Sequence, residues 1–145
     1  MSFKLVSFEG AAELKAKLRD MTDEAREDLV RDVALAGAAE VLPDAIARAP
    51  VLQAPDPRRV VGNLKSKVRS FLLKVSPGQA SAGVGISRGD MRKGRAAAFY
   101  ASWVEYGTAK MRALPFLRPA FDARKGAAEA AMTDKVRRWL ESYAQ

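Results

Sequence analysis

The 145-residue sequence contains neither cysteine nor histidine. Without cysteine the chain can form no disulfide, thiolate metal ligand or thiol nucleophile. Without histidine it lacks the commonest general base and the commonest zinc ligand, and a Ser-His-Asp triad is excluded. Carboxylate-bound magnesium, lysine chemistry and paired-carboxylate hydrolysis are the routes left open. The composition therefore argues against an enzyme, and we expect no cofactor and no metal.

The sequence also lacks a long apolar run. No stretch approaches the roughly 18 residues that a membrane-spanning helix needs, and the first residues lack an apolar leader with a small-residue cleavage site. Hydrophobic residues make up 48% and charged residues 29% of the chain, as in ordinary folded proteins. We expect residues 1–145 to form a single domain that makes no membrane contact.

Positive charge is concentrated in the middle of the chain. Residues 58–95 hold ten basic side chains and one acidic side chain, whereas the net charge of the whole chain is +8. Such a segment attracts a polyanion, either nucleic acid or an acidic protein surface. A solvated edge strand protected by lysines is the alternative interpretation. The candidate contacts are Lys65, Lys67 and Arg69 on a predicted strand, and Arg88, Arg92, Lys93 and Arg95 in a predicted loop.

Local patterns predict an α+β fold, in which a small antiparallel sheet packs against long helices, including a long C-terminal helix. The proline and glycine positions divide the chain, since both residues mark turns and helix ends. The predicted elements of the first part are a strand over 3–8, a helix over 11–19, and a helix from Thr22 to before Pro50 that kinks or restarts at Pro43. A Pro-rich loop over 50–64 follows, and then strands over 65–75 and 82–86 joined at Pro77-Gly78. The last part is predicted to form a mobile basic loop over 87–95 and a helix from about 115 to 143.

The most informative segment lies between residues 100 and 121, which hold five of the eleven aromatic residues. Tyr100, Trp103, Val104 and Gly107 have the spacing of one helical face, and the glycine suits a helix end. A strand over 98–106 is the alternative. Aromatic side chains at this spacing belong to a core or to a subunit contact. We expect Phe116 and Phe121 in the core, with Trp103 and Tyr106 facing a neighbouring subunit.

This segment resembles the signature of the tail-component family of long-tailed phages. The likeness is carried by aromatic-Ala-x-x-Val-Glu-aromatic-Gly-Thr, a short basic spacer, and then Pro-Phe-Leu-Arg-Pro-Ala-Phe. A weaker likeness lies in Ala47-Arg48-Ala49-Pro50-Val51, where the family continues directly with Thr-Gly-x-Leu. Here an additional stretch, residues 52–61, precedes Gly62-Asn63-Leu64. Members of the family act as tail-completion or head–tail joining proteins.

The resemblance implies a virion structural protein of the neck or tail, without catalytic activity, assembled in the cytoplasm of a host bacterium. The protein's partners would include further copies of itself in a ring, and the sixfold symmetry of tail tubes implies a hexamer. The other partners would be a connector or stopper, a tail terminator or tail tube protein, and packaged DNA. It also implies that Glu105 forms an ion pair with Arg118 that holds the connector after Gly107; a solvated Glu105 is the alternative. The motif and interface residues would be Tyr100, Trp103, Glu105, Tyr106, Gly107, Thr108, Pro115, Phe116 and Arg118.

Two other functions stay open on the residues alone. A non-specific DNA-binding module would use the basic segment 58–95 to contact phosphates. A magnesium-dependent nuclease is disfavoured, because that segment contains a single acid, Asp90, and a metal site needs several converging carboxylates.

Overall fold

The computed structural model of the chain describes residues 11–51, 60–76, 78–87 and 98–143. The predicted strand over 3–8, most of the Pro-rich loop and the basic loop from residue 88 onward lie outside the described residues. The elements of the described ranges are α1 (Ala11–Asp20), α2 (Asp23–Arg48), α3 (Asn63–Lys67), β1 (Arg69–Ser76), β2 (Gln79–Gly85), α4 (Ala101–Tyr106) and α5 (Leu117–Tyr143).

The turn between α1 and α2 is closed by side chains at both helix ends. Thr22 is extended, and its Oγ1 accepts a hydrogen bond from the Ala25 N–H at 3.3 Å, which makes it the N-cap predicted from the sequence. The Arg26 guanidinium donates to the carbonyl oxygens of Leu18 and Met21, two acceptors left over where α1 ends. The two helices are thereby joined in a defined geometry.

Helix α2 is the central element of the structure. It runs without interruption through Pro43, which is exposed, and it ends at Arg48, as the proline at position 50 predicts. Both strands of the hairpin and helix α5 pack against it. Its buried face consists of Leu29, Ala34, Gly37, Ala38, Val41 and Ala45.

The predicted hairpin is confirmed, with corrections to the bounds of both strands, since β2 runs over Gln79–Gly85 rather than 82–86. Strands β1 and β2 pair antiparallel with Ser76 opposite Gln79, and Gly78 adopts φ +84° in the two-residue turn. A bulge between Leu72 and Lys74 shifts the register. The prediction of a strand from residue 65 was wrong, because residues 63–67 form α3 after Gly62 turns the chain with φ +73°.

The fold is α+β, as predicted: the two-stranded antiparallel sheet packs against helices, and the long helix α5 closes the described chain. Phe116 is fully buried, as expected, and contributes the largest side chain to the core. The expectation for Phe121 was wrong, since 57% of its surface is exposed. The other members of the core cluster include Val41, Ala45, Leu64, Val68, Ile86, Ala98, Ala101 and Ala120.

Candidate functional site

Helix α4 has two opposite faces with different chemistry. Ala101 and Glu105, four residues apart, point inward and are less than a tenth exposed. Trp103 and Tyr106 point outward and are 50% and 73% exposed. A carboxylate thus occupies the inner face of this helix and aromatic rings occupy its outer face, the reverse of ordinary amphipathic patterning.

The buried carboxylate of Glu105 binds the start of α5. Its Oε2 accepts hydrogen bonds from the backbone N–H groups of Phe116 at 2.8 Å and Leu117 at 3.0 Å. Its Oε1 accepts from the N–H of Arg118 at 3.0 Å. A side chain eleven to thirteen residues upstream therefore provides the acceptors that an N-cap residue usually provides locally.

The remaining N–H positions in the first turn of α5 are also accounted for. Pro119 has no N–H and so needs no acceptor. The N–H of Ala120 bonds to the carbonyl oxygen of Phe116 at 3.4 Å and begins the bonding pattern of the helix itself. Since Phe116 has no polar side chain with which to cap α5, the helix start depends on Glu105.

The environment of Glu105 favours its ionised form. Burial raises the pKa of Glu105, whereas the N–H groups of Leu117, Phe116 and Arg118 and the charge of Arg118 lower it. The lowering effects prevail, and the pKa of Glu105 lies below its ordinary value of 4.5. The positive end of the α5 dipole faces the same carboxylate. Glu105 is therefore a structural anion at neutral pH.

The connector between α4 and α5 is a tight turn bonded back onto α4. The Gly107 N–H donates to the Trp103 carbonyl at 2.7 Å and ends the helix. The backbone groups of Thr108 and Met111 then pair with each other, and the Thr108 hydroxyl accepts from the Met111 N–H at 3.1 Å. The Leu114 N–H returns to the carbonyl of Val104 at 2.8 Å. These bonds fix the connector in one shape.

Gly107 is the residue that this turn requires. Its backbone, with φ +77° and ψ −179°, lies in a region that is almost exclusive to glycine. A Cβ atom placed here would also lie 2.8 Å from the Ala113 nitrogen and 2.9 Å from the Met111 carbonyl oxygen. Both obstacles are backbone atoms, so a side chain at this position would displace the turn.

The outer face of α4 carries an exposed group of aromatic rings, the aromatic patch, formed by Phe99, Trp103 and Tyr106. The rings of Phe99 and Trp103 meet edge to face with centroids 5.5 Å apart, and Tyr106 follows Trp103 one turn later. Phe99 is 56% exposed. Aromatic side chains are enriched at the centres of protein–protein interfaces.

The structure alters the predicted interaction of Glu105. Arg118 is bound through its backbone N–H, while its exposed side chain acts on the carboxylate only through its charge. The resemblance implied an ion pair between these two side chains; the described residues show no such pair, and the backbone N–H of Arg118 binds the carboxylate instead. The solvated alternative is wrong, because Glu105 is 8% exposed.

The other motif residues serve the same junction in different ways. Tyr100 is half-buried and packs against the core beside Phe99. Thr108 shapes the connector, and Pro115 is exposed directly before Phe116. Only Trp103 and Tyr106 among the predicted interface residues offer large exposed rings.

The predicted basic contacts do not form one strand face. Lys65 and Lys67 lie on α3, where residues two apart do not share a face, and both are half-buried. Arg69 begins β1 and is exposed. The other four candidates, Arg88, Arg92, Lys93 and Arg95, lie outside the described residues.

Sequence reasoning missed Phe99 and the capping role of Glu105. A local signal in the sequence pointed to the capping role of Glu105. The helix that begins near Pro115-Phe116 has no Ser, Thr, Asp or Asn at its start, so its N–H groups need an acceptor from elsewhere. Glu105 is the only acid between Asp90 and Asp122. For Phe99 the signal was its spacing, because Phe99, Trp103 and Tyr106 lie at i, i+4 and i+7, as on one helical face.

The described ranges show neither a metal site nor a membrane span. Within residues 11–51, 60–76, 78–87 and 98–143, no three acidic side chains come together as metal ligands would. No helix in the same ranges is long and apolar enough to cross a bilayer.

A protein-family model described as "Bacteriophage HK97-gp10, putative tail-component" matches residues 12–107. The match covers about two thirds of the chain and ends at the glycine that terminates α4. No curated protein and no solved structure matches the chain significantly.

Replacing Glu105 with glutamine tests the capping interaction. The amide has one acceptor oxygen for three N–H donors and turns its own N–H₂ towards one of them, so we expect a loss of about 2 kcal/mol in unfolding free energy at pH 7. The pKa of Glu105 is lowered on folding, so its contribution is fully present above pH 4.5 and is lost as the pH falls through the folded-state pKa. Urea unfolding over a pH series measures both effects.

The matched control is Glu129→Gln, at an exposed position of α5. It should change stability by less than about 0.5 kcal/mol at every pH. A Glu105→Gln protein as stable as the wild type at pH 7, or a stability difference that persists unchanged at low pH, would contradict the capping role.

Replacing Gly107 with alanine tests the connector. We expect destabilisation by about 3 kcal/mol or more, since backbone strain and contact with two backbone groups act together. Gly126→Ala is the matched control: it lies within α5, nothing stands within 4 Å of the added methyl group, and helix propensity favours alanine by about 1 kcal/mol. Thermal and urea unfolding compare the two; equal stability of both variants would refute the requirement for glycine.

Proposed function

The chain belongs to the bacteriophage HK97-gp10 tail-component family, and from this premise we propose that it completes the phage tail and joins it to the head as a non-enzymatic component of a neck or tail ring. A tail component is part of the virion and interacts with other tail or head proteins. Assembly in the cytoplasm of the host bacterium and a single domain spanning residues 1–145 are parts of the same proposal.

The observation that carries the proposal is the aromatic patch on a rigidly held helix. Residues 99–106 expose Phe99, Trp103 and Tyr106, and the Glu105 cap and the Gly107 turn fix the orientation of the helix that presents them. A preorganised aromatic surface loses little conformational entropy on association. Trp and Tyr are also the residues that contribute most to binding at interface centres. We infer that this patch is a subunit contact.

A ring supplies the geometry for such a contact. A head-to-tail contact uses two different surfaces of each copy and closes into a ring when its rotation divides a full turn. A hexamer would match the sixfold symmetry of tail tubes. The ring's two open faces would then meet a connector or stopper on one side and a tail terminator or tail tube protein on the other.

A second candidate function rests on the positive charge of residues 58–95. Within the described part of this segment, Arg69 and Lys74 are exposed on β1, beside the half-buried cations of α3. In a neck ring these side chains would face packaged DNA or an acidic partner. As a separate function, the same charges would make the protein a non-specific DNA-binding module.

Electron microscopy of particles made after an early stop codon in this gene tests the joining role. We expect separate DNA-filled heads and unattached or over-long tails. A Trp103→Glu gene should reproduce this defect, because a buried charge at a contact centre opposes association. Ala130→Glu, at an exposed position of α5, should leave particles normal. Intact infectious particles from the stop-codon phage would refute the joining role.

Fluorescence anisotropy with a duplex oligonucleotide at several salt concentrations tests the DNA-binding alternative. Phosphate contacts predict an affinity that falls steeply, by about tenfold or more between 50 and 200 mM salt. Arg69→Glu combined with Lys74→Glu should weaken the affinity for DNA relative to the wild type. Lys125→Glu combined with Arg137→Glu, which removes the same charge from α5, is the matched control. Absence of binding at low salt would exclude this alternative and leave the ring proposal unaffected.

A further inference from the structure

An apolar groove lies between strand β2 and helix α5, and helix α2 forms its floor. Its volume is about 410 Å³, and five consecutive residues of β2, from Ala80 to Val84, line it. Successive residues of a strand point to opposite faces of the sheet. A surface that meets all five therefore runs along the edge of β2 rather than over one face. We call this surface the β2 groove.

The edge of β2 along the groove has no partner strand among the described residues. The described sheet has two strands, and β1 pairs with the other edge of β2. Within the described ranges, the backbone groups of residues 80–85 form hydrogen bonds to β1 alone. Such an edge can pair with a further extended segment, and a two-stranded hairpin gains stability from a third strand.

The two edges of the hairpin differ in their protection against strand addition. Strand β1 carries Arg69 and Lys74, and the bulge at Leu73 lies on the same strand. Charged side chains and bulges both discourage pairing at an edge. Strand β2 has the sequence Gln-Ala-Ser-Ala-Gly-Val-Gly, which contains no charge and no proline. The edge of β2 is therefore the one that can accept a strand.

The walls of the β2 groove suit the side chains of an added strand. Its floor on α2 includes Ala34, Ala38 and Val41, and Phe121 of α5 stands beside it with 57% of its surface exposed. Alternate side chains of a strand in the groove would point onto this floor. Burial of the apolar surfaces on both sides would favour the bound segment.

One segment of the chain has the chemistry of such a strand. Residues 3–8, Phe-Lys-Leu-Val-Ser-Phe, lie outside the described residues, and their sequence predicts a strand. Four of the six side chains are apolar. Six extended residues span about 20 Å, and the seven residues of β2 span about 23 Å. The segment therefore matches β2 in length and the groove in polarity.

The same segment is tethered close to the groove. It precedes α1 by two residues, and α1 spans about 15 Å. The end of α1 is bonded to Arg26, whose Cδ lies 3.8 Å from where a Cβ of Gly78 would stand, in the turn that precedes β2. A tethered segment acts at an effective concentration of about millimolar, which a second copy reaches only in concentrated solution. The tether thus favours the chain's own segment as the occupant.

We propose that residues 3–8 bind in the β2 groove of their own chain as a third strand of the sheet. Their backbone groups bond to the free edge of β2, and their apolar side chains cover Ala34, Ala38 and Phe121. The strand forms within each copy of the chain. The joining role is tested separately on phage particles, so it can stand when this strand is refuted.

Disulfide formation between introduced cysteines tests the contact, since the natural chain has no cysteine. Neighbouring strand residues face opposite sides, so Leu5→Cys and Val6→Cys are each combined with a cysteine at one of three groove positions, Ala80, Ala82 or Val84. Lys74→Cys on β1 replaces the groove cysteine in the matched control pairs. A disulfide needs Cα atoms within about 7 Å, so we expect at least one groove pair to link about tenfold faster than the control pairs. Non-reducing electrophoresis should show the linked product as a monomer.

Hydrogen exchange of the full chain provides a second measurement. Proline has no N–H, and one of two consecutive N–H groups in a strand faces its neighbour in any register. In the Leu5→Pro/Val6→Pro variant, we therefore expect the amides of residues 80–85 that do not bond to β1 to exchange at least about tenfold faster than in the wild type. Ser2→Pro, which lies outside the segment, is the control and should leave this exchange unchanged.

Three results would overturn the proposal. Linked dimers in place of linked monomers would make a second copy the occupant of the groove. Groove pairs that link no faster than the control pairs would exclude the contact, as would unchanged exchange of residues 80–85 in the double proline variant. Circular dichroism verifies that each variant keeps its helices, and the exchange measurement decides if a cysteine variant fails to fold.

Discussion

The three hydrogen bonds from the start of α5 to the Glu105 carboxylate are the interaction on which the rest of the structure depends. They join α4, the connector and the longest helix across eleven to thirteen residues of sequence. The charge of the carboxylate is balanced by N–H dipoles and by Arg118 rather than by a buried cation. Glu105 and Phe116 are both buried, so losing the bond between them would leave a buried polar group without a partner.

This junction also determines what the protein presents to its surroundings. Since Glu105 holds the inner face of α4, the aromatic rings at the other face have no position except the surface. Gly107 and the turn after it then carry the chain back to α5 without covering those rings. A buried polar anchor and an exposed aromatic patch, both within residues 99–106, are two aspects of one arrangement. It suits a protein whose role in a phage tail is to bind its neighbours.

Much of the fold could be predicted from local patterns. Four features depend on residues close together in sequence: the Thr22 cap, the end of α2 before Pro50, the hairpin that turns at Gly78, and the helical spacing that ends at Gly107. The start of β1 could not be predicted in this way, because Gly62 initiates a helical turn over residues that also alternate like a strand. The apolar pattern of α5 predicts Phe121 in the core, yet α2 and β2 leave it facing an open groove.

The sequence by itself determined the α+β class, the limits of the long helices, the family and the absence of cysteine and histidine chemistry. These follow from composition, spacing and a contiguous motif, which need no knowledge of distant contacts. Only the tertiary structure decided that Glu105 caps α5, that Phe121 is exposed, and that α2, β2 and α5 enclose a groove. The burial of a side chain depends on the elements that pack over it. For α5 that element is chiefly α2, which is far from α5 in sequence.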